Sequence, residues 1–185
     1  MTDALKEWVS RQNSMLTLFI PENSTRKVMK FYTANQYQAS CEALFLIYKD
    51  KVKALLPDAR VEHIGASSIP LAVSKGDLDI FIGVELGYFE VSMQRLKVLE
   101  FQEKKNTLRT PELCMLESIS TEGVALQVVA NGSEFECFLQ FRNALRANMA
   151  LVKQYNELKM SCEGLSQDAY REKKSAFVEW VLAQG

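Results

Sequence analysis

Histidine and cysteine are scarce in this chain, and their spacing does not suit a typical zinc site. The 185 residues contain one histidine and four cysteines, and no two cysteines form a Cys-x-x-Cys pair. A structural zinc ion takes four cysteine or histidine ligands, which usually lie in closely spaced pairs. We therefore expect no zinc site, and we expect the cysteines to be reduced thiols that pack as small apolar side chains.

Long apolar runs are also missing. No stretch reaches the eighteen or so apolar residues of a membrane span, and the N-terminus lacks the apolar core of a signal peptide. The sequence therefore predicts a cytoplasmic protein without a membrane partner. The net charge is only −1, so the charge balance does not indicate an extended nucleic-acid surface. A nucleotide or another small phosphate compound fits this charge better.

The hydrophobic pattern predicts an α/β fold of the α+β type. Residues 1–34 read as an N-terminal helical extension, with a short helix in residues 1–12, ahead of one compact domain over residues 35–185. Helices are predicted for residues 35–56, 88–99, 133–146 and 148–159 and from about residue 168, with Ser133 and Glu136 as a capping box and Asn148 as an N-cap. Residues 113–119 and 124–130 predict a hairpin. The order predicts a small mixed β-sheet flanked by helices, with a helical C-terminal part closing over one sheet edge.

Two acids open a further predicted strand, residues 77–84. Alternation places Asp77 and Asp79 on one face, with Cα atoms roughly 6.5 Å apart at ~3.3 Å per residue. Mg²⁺ is commonly held by one or two carboxylates together with substrate phosphates. The pair therefore favours a metal-assisted phosphoryl or nucleotidyl transfer. The alternative is that both acids are solvated side chains at a strand edge.

A cluster of small residues precedes these acids. Gly65, Ala66, Ser67 and Ser68 follow a predicted strand, and glycine lets a backbone approach a phosphate closely. Unused N–H groups in such a turn bind anions, and the two serine hydroxyls add donors. The alternative is an ordinary turn or helix cap.

Two ordered blocks of sequence resemble one known family. Residues 62–70 (EHIGASSIP), followed by Lys75 and Asp79, resemble the Glu-His-Val-Gly-Ser-Thr motif of the GrpB family, within the polymerase-β-like nucleotidyltransferase superfamily. Residues 125–146 resemble that family's Leu-His-Val-Val strand, Gly-Ser turn and Phe-Arg-Asp-x-Leu-Arg helix. The resemblance covers about residues 40–183. It implies a nucleotidyltransferase that binds a nucleoside triphosphate with Mg²⁺ and transfers a nucleotidyl group to an unknown acceptor.

The resemblance also suggests roles for individual residues. The paired acids of the wider superfamily imply that Asp77 and Asp79 are catalytic metal ligands, although the GrpB family usually has an aliphatic residue at position 77. The resemblance also implies that the turn binds the triphosphate. On the helix of residues 133–146 the spacing places Arg142 and Arg146 on one face, where guanidinium groups can bind phosphate. The residues predicted to contact substrate or phosphate are Gly65, Ser67, Ser68, Lys75, Arg142, Arg146, Lys159 and Lys174. The alternative for the basic residues is a solvated helix face or local ion pairs.

The chain departs from the family motif at several positions. Ala66 stands in the usual serine position, Leu71 replaces a glycine, Gln127 replaces the strand histidine and Asn143 replaces the helix aspartate. No acid occupies the position of the third carboxylate that many superfamily enzymes use as a base. Glu117 shares strand parity with apolar residues and is a candidate substitute, unless it lies in water at a strand edge.

These departures motivate a second hypothesis, a non-catalytic nucleotide- or phosphate-binding regulatory module on the same fold. His63 is predicted to orient the turn through a hydrogen bond. A third hypothesis, a hydrolase that uses Ser67 with His63, lacks the Gly-x-Ser-x-Gly elbow that would frame the serine.

Overall fold

The computed structural model describes residues 29–121 and 123–184. The helix predicted in residues 1–12, and most of the extension predicted over residues 1–34, lie outside these ranges. Within them, no helix is both long and apolar enough to cross a membrane.

In the part of the chain that the structure describes, five strands form one mixed sheet in the order β1-β2-β5-β4-β3. β2 and β5 run parallel, and every other neighbouring pair is antiparallel. The predicted hairpin is confirmed as β4 and β5, with Leu113 opposite Val129. The short strand β3 was not predicted, because it lies in a mostly polar segment. The strands are β1 (Arg60–Ile64), β2 (Leu78–Val84), β3 (Phe101–Glu103), β4 (Leu113–Ser118) and β5 (Val124–Ala130).

Within the described residues, five α-helices accompany the sheet: α1 (Ala34–Leu55), α2 (Phe89–Leu96), α3 (Cys137–Ala147), α4 (Met149–Met160) and α5 (Gln167–Leu182). Asn148 caps α4 as predicted, because its side chain accepts a hydrogen bond from the amide of Ala150. The predicted capping box at Ser133 is wrong. Its hydroxyl makes no cap bond, and the Glu136 carboxylate instead accepts from the amide of Gly132.

The two faces of the sheet pack against different helices. Alternate residues of β2, including Ile80 and Ile82, join the core that α1 and α2 cover. The intervening residue Phe81 points the other way, into a smaller core that includes Leu139 of α3. Because β2 alternates, Asp79 lies on the same side as Phe81, facing the C-terminal helices. The fold is α+β, as the sequence predicts, with a helical C-terminal part against one face of the sheet.

Replacing a leucine at the centre of the sheet tests this packing. Leu126 of β5 is 0% exposed in the α1–α2 core. Leu126→Ala is expected to lower the free energy of unfolding by about 2–5 kcal/mol, because the deletion leaves a cavity. Leu86→Ala is the matched control, since Leu86 is 55% exposed, and its cost is expected to stay within about 0.5 kcal/mol. Urea titrations of both variants measure the difference, and equal losses would contradict the packing described.

Candidate functional site

The turn after β1 has a backbone conformation that requires glycine. Gly65 has φ 71° and ψ −173°, a region essentially limited to glycine, and Ala66–Ser68 then form one 3₁₀ turn. A Cβ added to Gly65 would lie 2.5 Å from Oδ2 of Asp79. The missing side chain therefore makes room for the carboxylate as well as for the turn.

Backbone amides of this turn remain available for an anion. The amides of Ser68 and Ile69 bond back to the carbonyls of Gly65 and Ala66. The amides of Ala66 and Ser67 donate to no other group in the part of the chain that the structure describes. Gly65 and Ala66 line a pocket, so the backbone of the turn borders it.

The two serine hydroxyls stabilise the turn from within. Ser67 Oγ lies 2.9 Å from His63 Nε2, and Ser68 Oγ donates to the carbonyl of Gly65 at 2.8 Å. Both serines are buried, and neither lines the pocket. In this arrangement the two hydroxyls are used within the protein, and only the residues Gly65 and Ala66 of the turn border the pocket.

His63 connects the turn to α1. Its Nδ1 lies 2.8 Å from Oε2 of Glu42, and its ring stacks on Phe45 with centroids 5.0 Å apart. Burial lowers the pKa of His63 below its ordinary value, although Glu42 opposes this shift. The order Glu42–His63–Ser67 resembles a hydrolase triad. Ser67 is only 3% exposed and lies outside the pocket lining, so a substrate cannot reach it in this arrangement.

Arg142 and Arg146 of α3 bind the end of β1 and the turn that follows it. Arg142 donates to the carbonyl of His63 at 2.9 Å and forms an ion pair with Glu62 at 2.6 Å. Arg146 donates twice to the carbonyl of Ser68, at 2.9 and 2.7 Å. Neither arginine lines the pocket. The predicted shared helix face is therefore present, but its guanidinium groups bind carbonyls and a carboxylate of the protein itself.

The connection from the turn to β2 is held by α4. Leu71 has φ 61° at the position where the family motif has glycine, so the chain accepts strain there. Asn156 accepts from the amide of Val73 at 2.8 Å and donates to the carbonyl of Leu71 at 2.9 Å. Lys159, one helical turn later, donates to the carbonyl of Val73 at 2.6 Å. These bonds determine where the chain enters β2.

Both predicted acids line the pocket, in different environments. Asp79 lies in β2, and burial raises its pKa while the charge of Lys174 opposes the shift. Gln127 Nε2 donates to Asp79 Oδ1 across a long 3.5 Å. Asp77 precedes β2, which begins one residue later than predicted, and forms an ion pair with Lys75 at 3.1 Å. The two carboxylates thus border one space, one desolvated and the other paired with a lysine.

The pocket has a volume of about 390 Å³ and lies between the sheet and α3–α5. Six basic side chains line it, against three acidic ones. The basic residues are Lys75, Lys104, Lys105, Lys159, Arg171 and Lys174, and the acidic ones are Asp77, Asp79 and Asp168. Four aromatic residues, Phe138, Phe141, Tyr155 and Tyr170, line the pocket as well. Sequence reasoning missed Lys104 and Lys105, since they follow the unpredicted strand β3.

The two predicted accessory polar residues lie in different places. Gln127 is 7% exposed and lines the pocket, and its Oε1 is buried without a hydrogen-bond partner. Glu117 lies in β4 opposite Ala125 and does not line the pocket. Across residues 29–121 and 123–184, no three His, Cys, Asp or Glu residues form a cluster that could hold a metal ion. Any metal here would have two carboxylates and would depend on other ligands.

A sequence profile described as GrpB protein matches residues 33–184. The chain belongs to the GrpB family. It is 62% identical to a UPF0157 protein of Vibrio cholerae over 156 residues, which are 84% of this chain and 83% of that protein. The crystal structure of GrpB from Enterococcus faecalis superposes with a TM-score of 0.68 at 20% identity, over 84% of this chain and 96% of that one. A structure of the Cid1 poly(U) polymerase superposes more weakly, with a TM-score of 0.48 at 12% identity, over 67% of this chain and 40% of that one.

Alanine at Gly65 tests the close approach to Asp79. Gly76 is the matched control, because it has φ +89° but no atom within 4 Å of an added Cβ. Gly76→Ala is expected to cost about 1–3 kcal/mol of backbone strain. Gly65→Ala is expected to cost more, because its Cβ also meets the Asp79 carboxylate. Urea unfolding of both variants gives the comparison, and similar losses would show that the carboxylate does not depend on this space.

The buried histidine predicts a dependence of stability on pH. Because its pKa is lower in the folded protein, the unfolded chain binds the extra proton first as the pH falls below 6.5. The wild type should therefore lose free energy of unfolding as the pH falls from 7 towards 5. His63→Gln has no histidine and should show a shallower loss. Urea midpoints at several pH values measure both slopes, and parallel slopes would contradict the lowered pKa.

Proposed function

We propose that the pocket binds a nucleoside triphosphate with Mg²⁺ and that the protein transfers the nucleotidyl group to an acceptor molecule. One observation carries the proposal: Asp77 and Asp79 line the same pocket as the Gly65 turn and six basic side chains. This combination suits a ligand that brings several negative charges together with a cation. The sequence motif shared with the GrpB family and its superfamily supports the same proposal.

The phosphates fit the polar part of the pocket. The amide of Ala66 is an available donor at the pocket wall, and Lys104, Lys105 and Lys174 supply positive charge in the same pocket. The aromatic side chains of Phe138, Phe141 and Tyr170 would pack against the base. Arg142 and Arg146 act indirectly in this proposal, since they hold the turn whose amides contact the phosphates.

The acids fit a divalent ion. Burial raises the pKa of Asp79, so a cation beside it would stabilise the ionised carboxylate. Asp77 supplies a second carboxylate, and two carboxylates with substrate phosphates are a common ligand set for Mg²⁺. When bound, the ion would neutralise phosphate charge in the reaction.

The proposed transfer exchanges one phosphorus–oxygen bond for another. The acceptor attacks the α-phosphorus, the bond from that phosphorus to the bridging oxygen of the β-phosphate breaks, and pyrophosphate leaves. The lysines of the pocket would stabilise the charge of pyrophosphate. The amide of Gln127 cannot take the acceptor's proton, so the proton passes to solvent in this scheme.

Asp79→Asn tests the metal-dependent part. The wild type is expected to show a thermal shift with one or more nucleoside triphosphates that grows when Mg²⁺ is added, because a ligand that binds only the folded state stabilises it. Asp79→Asn should reduce the Mg²⁺-dependent affinity at least about tenfold, or about 1.4 kcal/mol. Asp50→Asn, on the exposed surface of α1, should match the wild type. A wild type that binds no common nucleotide in calorimetry would refute the proposal.

A non-catalytic nucleotide-binding module is the second candidate. Gln127 favours this candidate, because its amide lies beside Asp79 and cannot act as the base that would take the acceptor's proton. Incubation of a cell extract with α-³²P-labelled nucleotides separates the two functions. Label that appears on an acceptor with the wild type, and not with Asp79→Asn, supports transfer. Nucleotide binding without labelled product supports the binding module.

A further inference from the structure

Lys159 is an unusual lysine for a pocket wall. It is 1% exposed, although it belongs to the part of α4 that lines the pocket. Its Nζ donates to the carbonyl of Val73 at 2.6 Å and lies 3.9 Å from the ring centroid of Tyr155. An ammonium group has three N–H donors, and in the described part of the chain the carbonyl of Val73 is the single hydrogen-bond acceptor of this Nζ.

The surrounding charges also disfavour an ammonium group at this position. Lys174 of α5 and Lys75 of the connection face it with positive charge, whereas Asp79 and Asp77 face it with negative charge. Asp77 is already paired with Lys75. Burial has the largest effect and holds the pKa of Lys159 well below its ordinary value, with the two lysines adding to the shift. Burial also raises the pKa of the Tyr155 phenol, whose ring lies against this Nζ, so the phenol stays protonated.

We propose that Lys159 is a neutral amine in the unliganded protein, and that a polyphosphate entering the pocket binds together with one proton taken up by Lys159. The anion supplies negative charge and oxygen acceptors. These offset the loss of solvation and the shortage of hydrogen-bond acceptors that burial imposes on the ammonium group. The site thereby limits its own positive charge until a polyphosphate arrives. This inference rests on the proposed function only in that the pocket accepts a polyphosphate, and it requires neither Mg²⁺ nor transfer.

Proton uptake gives the binding a definite pH dependence. Between the pKa of Lys159 in the unliganded protein and its higher value in the complex, affinity should fall by up to about tenfold for each unit of rising pH. The ligand-free protein should behave in the opposite way. Its lowered pKa means that the unfolded chain holds the extra proton, so stability should rise with pH towards 10.5 through this residue.

Calorimetry with inorganic tripolyphosphate tests the proposal. Titrations at pH 8 without Mg²⁺, in buffers of different ionisation enthalpy, report the number of protons taken up per anion bound. The wild type should take up as much as one proton more than Lys159→Met and Lys159→Arg, because neither replacement can change its charge in this range. Lys153→Met is the control, since Lys153 lies exposed on the same helix, and it should match the wild type.

The outcomes separate this inference from the proposed function. Equal proton uptake in the wild type and the Lys159 variants would overturn the role of Lys159 and leave polyphosphate binding intact. Failure of any polyphosphate to bind would overturn both. If the variants do not fold, ¹³C NMR of wild-type protein labelled at lysine Cε distinguishes amine from ammonium. A lysine that is neutral at pH 8 and becomes charged on adding tripolyphosphate supports the proposal, and its absence overturns it.

Discussion

The close approach of the Gly65 backbone to the Asp79 carboxylate is the constraint on which the site depends. It requires a residue without a side chain at the end of β1, and it requires β2 to lie directly beside that turn. The antiparallel pairing of β1 with β2 places the turn beside this carboxylate, because Ile64 lies opposite Asp79. The carboxylate is thereby desolvated at the wall of a pocket, where a nearby positive charge has a stronger effect than it would in water.

Much of the charge near the turn serves to hold it in place. Arg142 and Arg146 bind carbonyls and one carboxylate, and His63 bonds to a second carboxylate and to a hydroxyl. Together they connect the turn to α1 and α3. A short turn with a glycine-only conformation has little stability of its own, so these contacts compensate for the strain. As a result, Arg142 and Arg146 position the backbone, whereas the lysines of the pocket line the space where a ligand would lie.

The pocket combines two demands that oppose each other. A polyphosphate requires many positive charges, but the same charges repel one another when no anion is present. The ion pair of Lys75 with Asp77 reduces this repulsion. The burial of Lys159 reduces it further, because burial lowers the pKa of this lysine and so favours its neutral form. Asp79 and Lys159 come from distant parts of the chain, β2 and α4, yet the charge of Asp79 raises the pKa of Lys159 against the effect of burial.

The sequence by itself determined the hairpin of β4 and β5, the main helices, the mixed sheet and the family, because hydrophobic period and local motifs are readable along the chain. It also predicted that Asp77 and Asp79 would border one space, and both line the pocket although Asp77 lies just before β2. It could not show that the hydroxyls of Ser67 and Ser68 turn inward, that Arg142 and Arg146 bind the turn, or that Lys104 and Lys105 reach the pocket. Those outcomes were decided by the tertiary structure, because the partner of a polar side chain is set by contacts between residues far apart in sequence.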